Sequence, residues 1–190
     1  MPVKIKSPGG GGTGAPGAGG TGGKSGGKGK GGKGKRGKNK KKKKDKLKCG
    51  ENGKYGDLQK KTGNGKFDRD HVPQKSALLD RARKYNGGRR LCGPQKSAVI
   101  KMAQACAIPK GVHKKYSKTY GGRGKKFRKA DAKSPQKAAK RDTAAIKKGL
   151  DKQKVSKDCQ KKYAKWATKM NAITPRQYDG MLKKAVETAK

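Results

Sequence analysis

The chain has only two histidines, His71 and His113, so imidazole-based proton transfer or metal binding has two places to occur. His71 stands in Asp68-Arg69-Asp70-His71-Val72-Pro73. A carboxylate next to an imidazole suits hydrolysis: the carboxylate holds a divalent cation, and the neutral ring takes a proton from an attacking water. On its own such a dipeptide is more often a turn whose acids pair with nearby lysines. The strip that holds His113, Ile108 to Arg123, changes the weighing. It adds the hydroxyls of Tyr116, Ser117, Thr119 and Tyr120, then Gly121-Gly122-Arg123, where bare backbone can approach a ligand and a guanidinium can grip phosphate with two hydrogen bonds. Cleaving a phosphodiester needs a base for water, a cation against the developing charge and a clamp on the phosphate. All three residue types are present.

The elements that must position them read as strands followed by helices. Tyr55–Lys61 and Lys66–Val72 flank Thr62-Gly63-Asn64-Gly65, which predicts a β-hairpin closed by Pro73. Ser76–Lys84 and Gln95–Cys106 have helical periodicity, whereas Ile108–Arg123 has none and reads as a loop that presents side chains. Three further helices are expected in Ser134–Leu150, Val155–Met170 and Thr174–Lys190, two of them opened by Ser-Pro and Thr-Pro. Their apolar stripes, Cys159/Tyr163/Trp166 and Tyr178/Met181/Leu182/Ala185, are packing surfaces in this reading. The expected fold class is α+β: a hairpin-plus-helix core with additional C-terminal helices.

Composition bounds the rest. Of 190 residues 55 are Lys or Arg and 12 are Asp or Glu, a formal net charge of +43, and only 28% are hydrophobic. Self-repulsion on this scale calls for polyanionic partners, nucleic acid or an acidic protein. No apolar run is long enough to cross a membrane, and no secretory h-region stands near Met1. Residues 1–47 hold 17 of the 31 glycines and 15 Lys or Arg against one acid, Asp45. Such a stretch cannot bury a core; it reads as a disordered glycine-rich linker followed by a basic arm. Residues 48–190 form the folded domain, with 48–124 its catalytic part and 134–190 a helical extension. Cys49, Cys92, Cys106 and Cys159 form no zinc-ligand spacing. Free thiols are expected of them, with one or two disulfides as the alternative.

The run Tyr55-Gly56-Asp57-Leu58, Phe67-Asp68-Arg69-Asp70-His71-Val72-Pro73 and Ser76-Ala77-Leu78, with Ile108-Pro109, His113 and Ser117-Lys118-Thr119-Tyr120-Gly121-Gly122-Arg123 further on, resembles the C-terminal nuclease toxin domains of bacterial polymorphic toxins. These belong to the HNH/endonuclease VII (ββα-metal) group. The resemblance covers residues 48–124 and leaves the C-terminal helices unexplained. It implies that Asp70 is a metal ligand, His71 the general base, His113 a second metal ligand and Arg123 a phosphate contact. Arg69, Lys114, Lys115, Thr119, Lys125 and Lys126 would join Arg123 in binding nucleic acid. The implied cofactor is a divalent ion, Mg²⁺ first, with Zn²⁺, Ni²⁺ or Mn²⁺ as alternatives. The asparagine usual between the two histidines is missing, Asn86 being a loose candidate. The resemblance further implies an effector secreted without a cleaved signal peptide on a secretion-system carrier protein. It would act in the cytoplasm of a target cell, on DNA in preference to RNA, and be held in check by an immunity protein, which the net charge makes acidic.

Two other readings compete. A non-enzymatic nucleic-acid-binding protein, ribosomal or linker-histone-like, suits the basic arm but leaves two acids beside His71 without a purpose. A metal-free ribonuclease would use His71 and His113 as acid and base.

Overall fold

The computed structural model describes residues 45–189, and the expected arm lies almost wholly outside them. The fold is α+β. In chain order it comprises β1 (Asn52–Lys54), α1 (Tyr55–Leu58), β2 (Phe67–His71), α2 (Lys75–Ala82), α3 (Gly93–Met102), β3 (Gln104–Pro109), α4 (Lys110–Tyr116), α5 (Arg128–Lys133), α6 (Pro135–Lys152), α7 (Lys157–Ala172) and α8 (Pro175–Glu187). Short 3-10 helices at Arg83–Asn86 and Gly121–Phe127 follow α2 and precede α5.

The three strands make one antiparallel sheet in the order β1-β3-β2. Its centre is β3, Gln-Ala-Cys-Ala-Ile-Pro, in which Ala105, Cys106, Ala107 and Ile108 are all fully buried. A strand covered on both faces needs apolar side chains throughout, and such a run is indistinguishable by pattern from a buried helix. The expected helix Gln95–Cys106 is therefore split: α3 ends at Met102, Ala103 turns to extended backbone, and Gln104 begins a strand.

The expected hairpin does not form. The Asn64-Gly65 turn is present, both residues having left-handed backbone (φ 49° and 69°), but Tyr55–Leu58 before it is helical. The partner of β2 is the distant β3, in the register Asp68↔Ile108, Asp70↔Cys106 and His71↔Ala105. Apolar burial along β3 outweighs the closeness in sequence of the segment before the turn.

Two cores flank the sheet. Cys106 and Ile108 pack with Val72, Val112, Ile146, Leu150, Tyr163 and Trp166 under α6 and α7. On the opposite face Ala105 and Ala107 pack with Leu47 and Leu58, and Tyr55 lies against them. A third cluster joins α2, α3 and α8 through Leu78, Val99, Tyr178 and Leu182. The C-terminal stripes are packing surfaces, as expected. Thr174 caps α8 by accepting from the Gln177 backbone N–H at 3.3 Å, and Ser156 caps α7, but Ser134 makes no side-chain cap.

Free thiols were the wrong expectation for one pair. Cys49 and Cys159 are 110 residues apart in sequence, yet the fold brings their Cα atoms to 5.3 Å and they form a disulfide. It joins the approach to β1 to α7. Cys92 and Cys106 are free thiols.

Candidate catalytic pocket at the sheet edge

Side chains alternate along a strand, so Asp68 and Asp70 share one face of β2 while Arg69 and His71 share the other. Within an ordinary sheet this would keep Asp70 and His71 apart. Because β2 is an edge strand, both faces reach its free margin, and a cavity of about 690 Å³ opens there. It is lined by Asp68, Asp70, His71 and His113 among others. Leu79, Ile100 and the rings of Tyr55 and Tyr120 also line it, together with Arg69 and Lys75.

The strip that carries His113 is not the loop expected from its lack of period. It continues β3 into α4, and the helix aims His113 at the face of β2 where the two acids stand. His113 Nδ1 lies 3.1 Å from Asp68 Oδ2, and its Nε2 lies 3.1 Å from Asp70 Oδ1. Burial disfavours charge on this ring, but hydrogen bonds and charge from Asp70, then from Asp68, outweigh it and hold the pKa above the usual histidine value. Asp70 is also raised, by burial first; the His113 ring pulls it back down and the Asp68 charge pushes it up again. These two shifts oppose each other, since a charged ring favours a charged carboxylate. With two carboxylates on one ring, the geometry favours the imidazolium while no ion is bound; a cation between Nε2 and Asp70 Oδ1 would take the place of the Nε2 proton. The second oxygen of Asp70, Oδ2, is buried with no hydrogen-bond partner.

His71 has the opposite environment. It is 9% exposed, its ring centroid is 3.9 Å from that of Tyr55, and burial pushes its pKa down to about 3. The charges of Lys75 and His113 add to this, while a hydrogen bond with the Arg69 backbone works against it. The ring is thus neutral, and its Nε2 has no partner. Two imidazoles in one cavity are driven in opposite directions, an arrangement that separates the roles of acid and base.

The other expected site residues divide into three groups. Thr119 lines the cavity; its backbone N–H donates to Ser117 Oγ at 3.2 Å. Arg123 is exposed just outside the cavity, donating to the main-chain oxygens of Lys114 and Tyr120, with its guanidinium 5.8 Å from the Tyr120 ring centre. That ring meets His113 edge-on at 4.8 Å. Lys114, Lys115, Lys125 and Lys126 are exposed on the neighbouring surface. Arg69 is committed to the fold, donating to the carbonyls of Leu58 (2.8 Å) and Lys61. Asn86 lies outside the cavity and ties a turn, donating to Arg90 O at 3.0 Å.

Four contributors were missed. Asp68 completes the flanking of His113, and its place two residues before Asp70 on a strand was the available signal. Tyr55 covers His71, and nothing in its local sequence signals the helix α1 that places it there. Gln74 donates to Gly124 O (3.1 Å) and Asp131 Oδ2 (2.7 Å), and Arg141 grips Asp131 at 2.7 and 2.9 Å. This buried relay fastens the chain just beyond His71 to α5 and α6.

Among the described residues no group of three or more His, Cys, Asp or Glu side chains is arranged to hold a metal ion. A two-residue set does fit one. Cis ligands on an octahedral ion with bonds of about 2.1 Å stand about 3 Å apart, and Asp70 Oδ1 and His113 Nε2 are 3.1 Å apart. Mg²⁺ in particular takes one or two protein ligands and completes its shell with water and phosphate. The unpartnered Asp70 Oδ2 supplies the deficit of positive charge that an ion would meet.

Compared with protein-family models, curated proteins and solved structures, the chain matches none.

Proposed function

We propose that the chain is a metal-dependent endonuclease, the toxic domain of a secreted antibacterial effector, acting on DNA in preference to RNA. The observation that carries this reading is the convergence of Asp70, His113 and a neutral His71 on one open cavity in a strongly cationic chain. Asp70 and His113 would hold the ion, and Asp68, bonded to the far nitrogen of His113, would fix that ring's orientation. A divalent ion bound there supplies charge stabilisation at a phosphate oxygen. His71 would accept a proton from the attacking water at Nε2, which is buried without a hydrogen-bond partner, once substrate brings that water against the ring. Tyr55, packed on the ring, limits the directions from which water can reach it. Arg123 and the exposed lysines around α4 draw in the phosphate backbone without reading bases.

The Cys49–Cys159 disulfide supports passage through an oxidising environment. The net charge of +43 supports an acidic immunity protein as the inhibitor in the producing cell. Among the described residues no helix is long and apolar enough to cross a membrane.

Supercoiled plasmid and total RNA, each incubated with the protein in Mg²⁺ or in EDTA, test the proposal, with His71→Ala alongside. The expected result is Mg²⁺-dependent plasmid cleavage that His71→Ala reduces by about 10²–10⁴-fold. Binding without cleavage of either substrate would overturn it in favour of a non-enzymatic binder. The opposed shifts of His71 and His113 favour one second reading, a metal-free acid–base ribonuclease, for which cleavage of RNA would persist in EDTA.

A further inference from the structure

A second cleft, of about 290 Å³, is lined by the same segment, residues 113–123, that helps to line the candidate catalytic cavity. The cleft is lined by Lys115, Lys118, Arg123 and Lys126, by the half-buried rings of Tyr116 and Phe127, and by Ser117 and Arg141, with no acid among them. Arg141 is neutralised by Asp131, which it grips with two hydrogen bonds. Among the described residues the other four cations have no carboxylate partner. Four unpaired cations around one concavity repel each other, and an anion placed among them relieves that repulsion.

The aromatic rings narrow the choice of anion. Lys115 Nζ lies 5.7 Å from the Tyr116 ring centre and Lys126 Nζ 5.1 Å from that of Phe127, over which the Arg141 guanidinium also lies, at 4.2 Å. Aromatic surfaces interleaved with free cations are how proteins take unpaired nucleotides: bases stack on the rings and phosphates meet the charges. Bases inside a duplex are already stacked and paired, so rings in a cleft gain nothing from them. We infer that this cleft is a subsite for a nucleotide flanking the scissile one, so that the substrate is cut where its strand is single or locally opened. The inference rests on the nuclease reading for the word "scissile", whereas the cleft's affinity for single strands does not depend on it.

The test uses the full-length His71→Ala protein in EDTA, where no hydrolysis occurs, irradiated with a single-stranded oligonucleotide carrying 5-iodouracil, a base that cross-links to aromatic side chains it stacks on. Residues 1–44 contain no aromatic residue, so the basic arm cannot capture the label in this way. The expected adducts are on Tyr116 or Phe127, competed at least tenfold better by unlabelled single strand than by duplex. Lys118→Ala combined with Lys126→Ala, both exposed positions where the fold should be kept, should lower the slope of log affinity against log salt by about 1.4, since each phosphate contact on a single strand contributes about 0.7. Adducts confined to Tyr55 and Tyr120 with an unchanged salt slope would overturn the inference. So would protection of Lys115, Lys118 and Lys126 from acetylation by a poly-glutamate peptide but not by the oligonucleotide, which would make the cleft a protein-docking surface. Failure of the plasmid and RNA assays would bear on the nuclease reading alone.

Discussion

At the scale of single residues, the two carboxylates that flank His113 have separable roles. Asp70 stands 2% exposed with one oxygen unpartnered, so Asp70→Asn should abolish divalent-ion binding, read by calorimetric titration with Mn²⁺. Asp68 touches the far side of the same ring and would act through it. Asp68→Asn should weaken the ion by about 10–100-fold while activity at saturating metal stays within a few-fold of the parent. Equal damage from both substitutions would make Asp68 a ligand in its own right. The Asp-His pair and the second histidine were legible as chemistry from their residue types alone. Asp68 was only half legible: strand alternation puts it on the Asp70 face, but nothing in the sequence says that a helix from forty-five residues away fills the space between them.

At the scale of elements, α6 is where side-chain chemistry and packing meet the site. Asp142 is buried beside Arg141, and burial pushes its carboxyl up to about 7 even though the guanidinium pulls it down. The folded chain therefore keeps this proton up to about pH 7, whereas the unfolded chain releases it near the ordinary aspartate value of 3.8. Between those values the folded state binds more protons, so this group's contribution to stability falls as pH rises, by up to about 1.4 kcal/mol per unit. Melting temperatures from pH 4 to 8 should show this decline relative to Asp142→Asn, in which it is absent; parallel profiles would refute it. Further along the helix, a Cβ at Gly149 would lie 2.6 Å from Tyr116 Cδ2. Gly149→Ala should destabilise by about 1–3 kcal/mol, measured by urea denaturation, because Tyr116 anchors the helix that carries His113. Helix α2 and the three C-terminal helices were legible from caps, prolines and 3.6-residue stripes. The sheet was not. Its central strand is apolar at nearly every position, and its pairing with β2 spans about forty residues, which no local pattern encodes.

For the whole molecule, the disulfide closes a loop of 110 residues that takes in all three strands and helices α1 to α6. Loop-closure arguments give such a bridge about 4–5 kcal/mol of stability. Reduction, or Cys49→Ser with Cys159→Ser, should lower the urea midpoint accordingly, and an unchanged midpoint would show that the bridge is not formed in solution. The charge acts at the same scale. Removing residues 1–44 should reduce both affinity for nucleic acid and the steepness of its salt dependence, while leaving any cleavage of a short oligonucleotide in place.

By itself the sequence determined the charge, the absence of a long apolar span, the contrast in composition between a glycine- and lysine-rich arm and the remainder, and the two histidine strips as the only places for imidazole chemistry. These follow from composition and short-range spacing. Tertiary structure decided that β2 lies at an edge, so that Asp70 and His71 share a cavity despite facing opposite ways. It also placed His113 between two acids, buried His71 under Tyr55 and joined Cys49 to Cys159. Each of these depends on contacts between segments far apart in the chain, where burying apolar surface outweighs what any local stretch prefers.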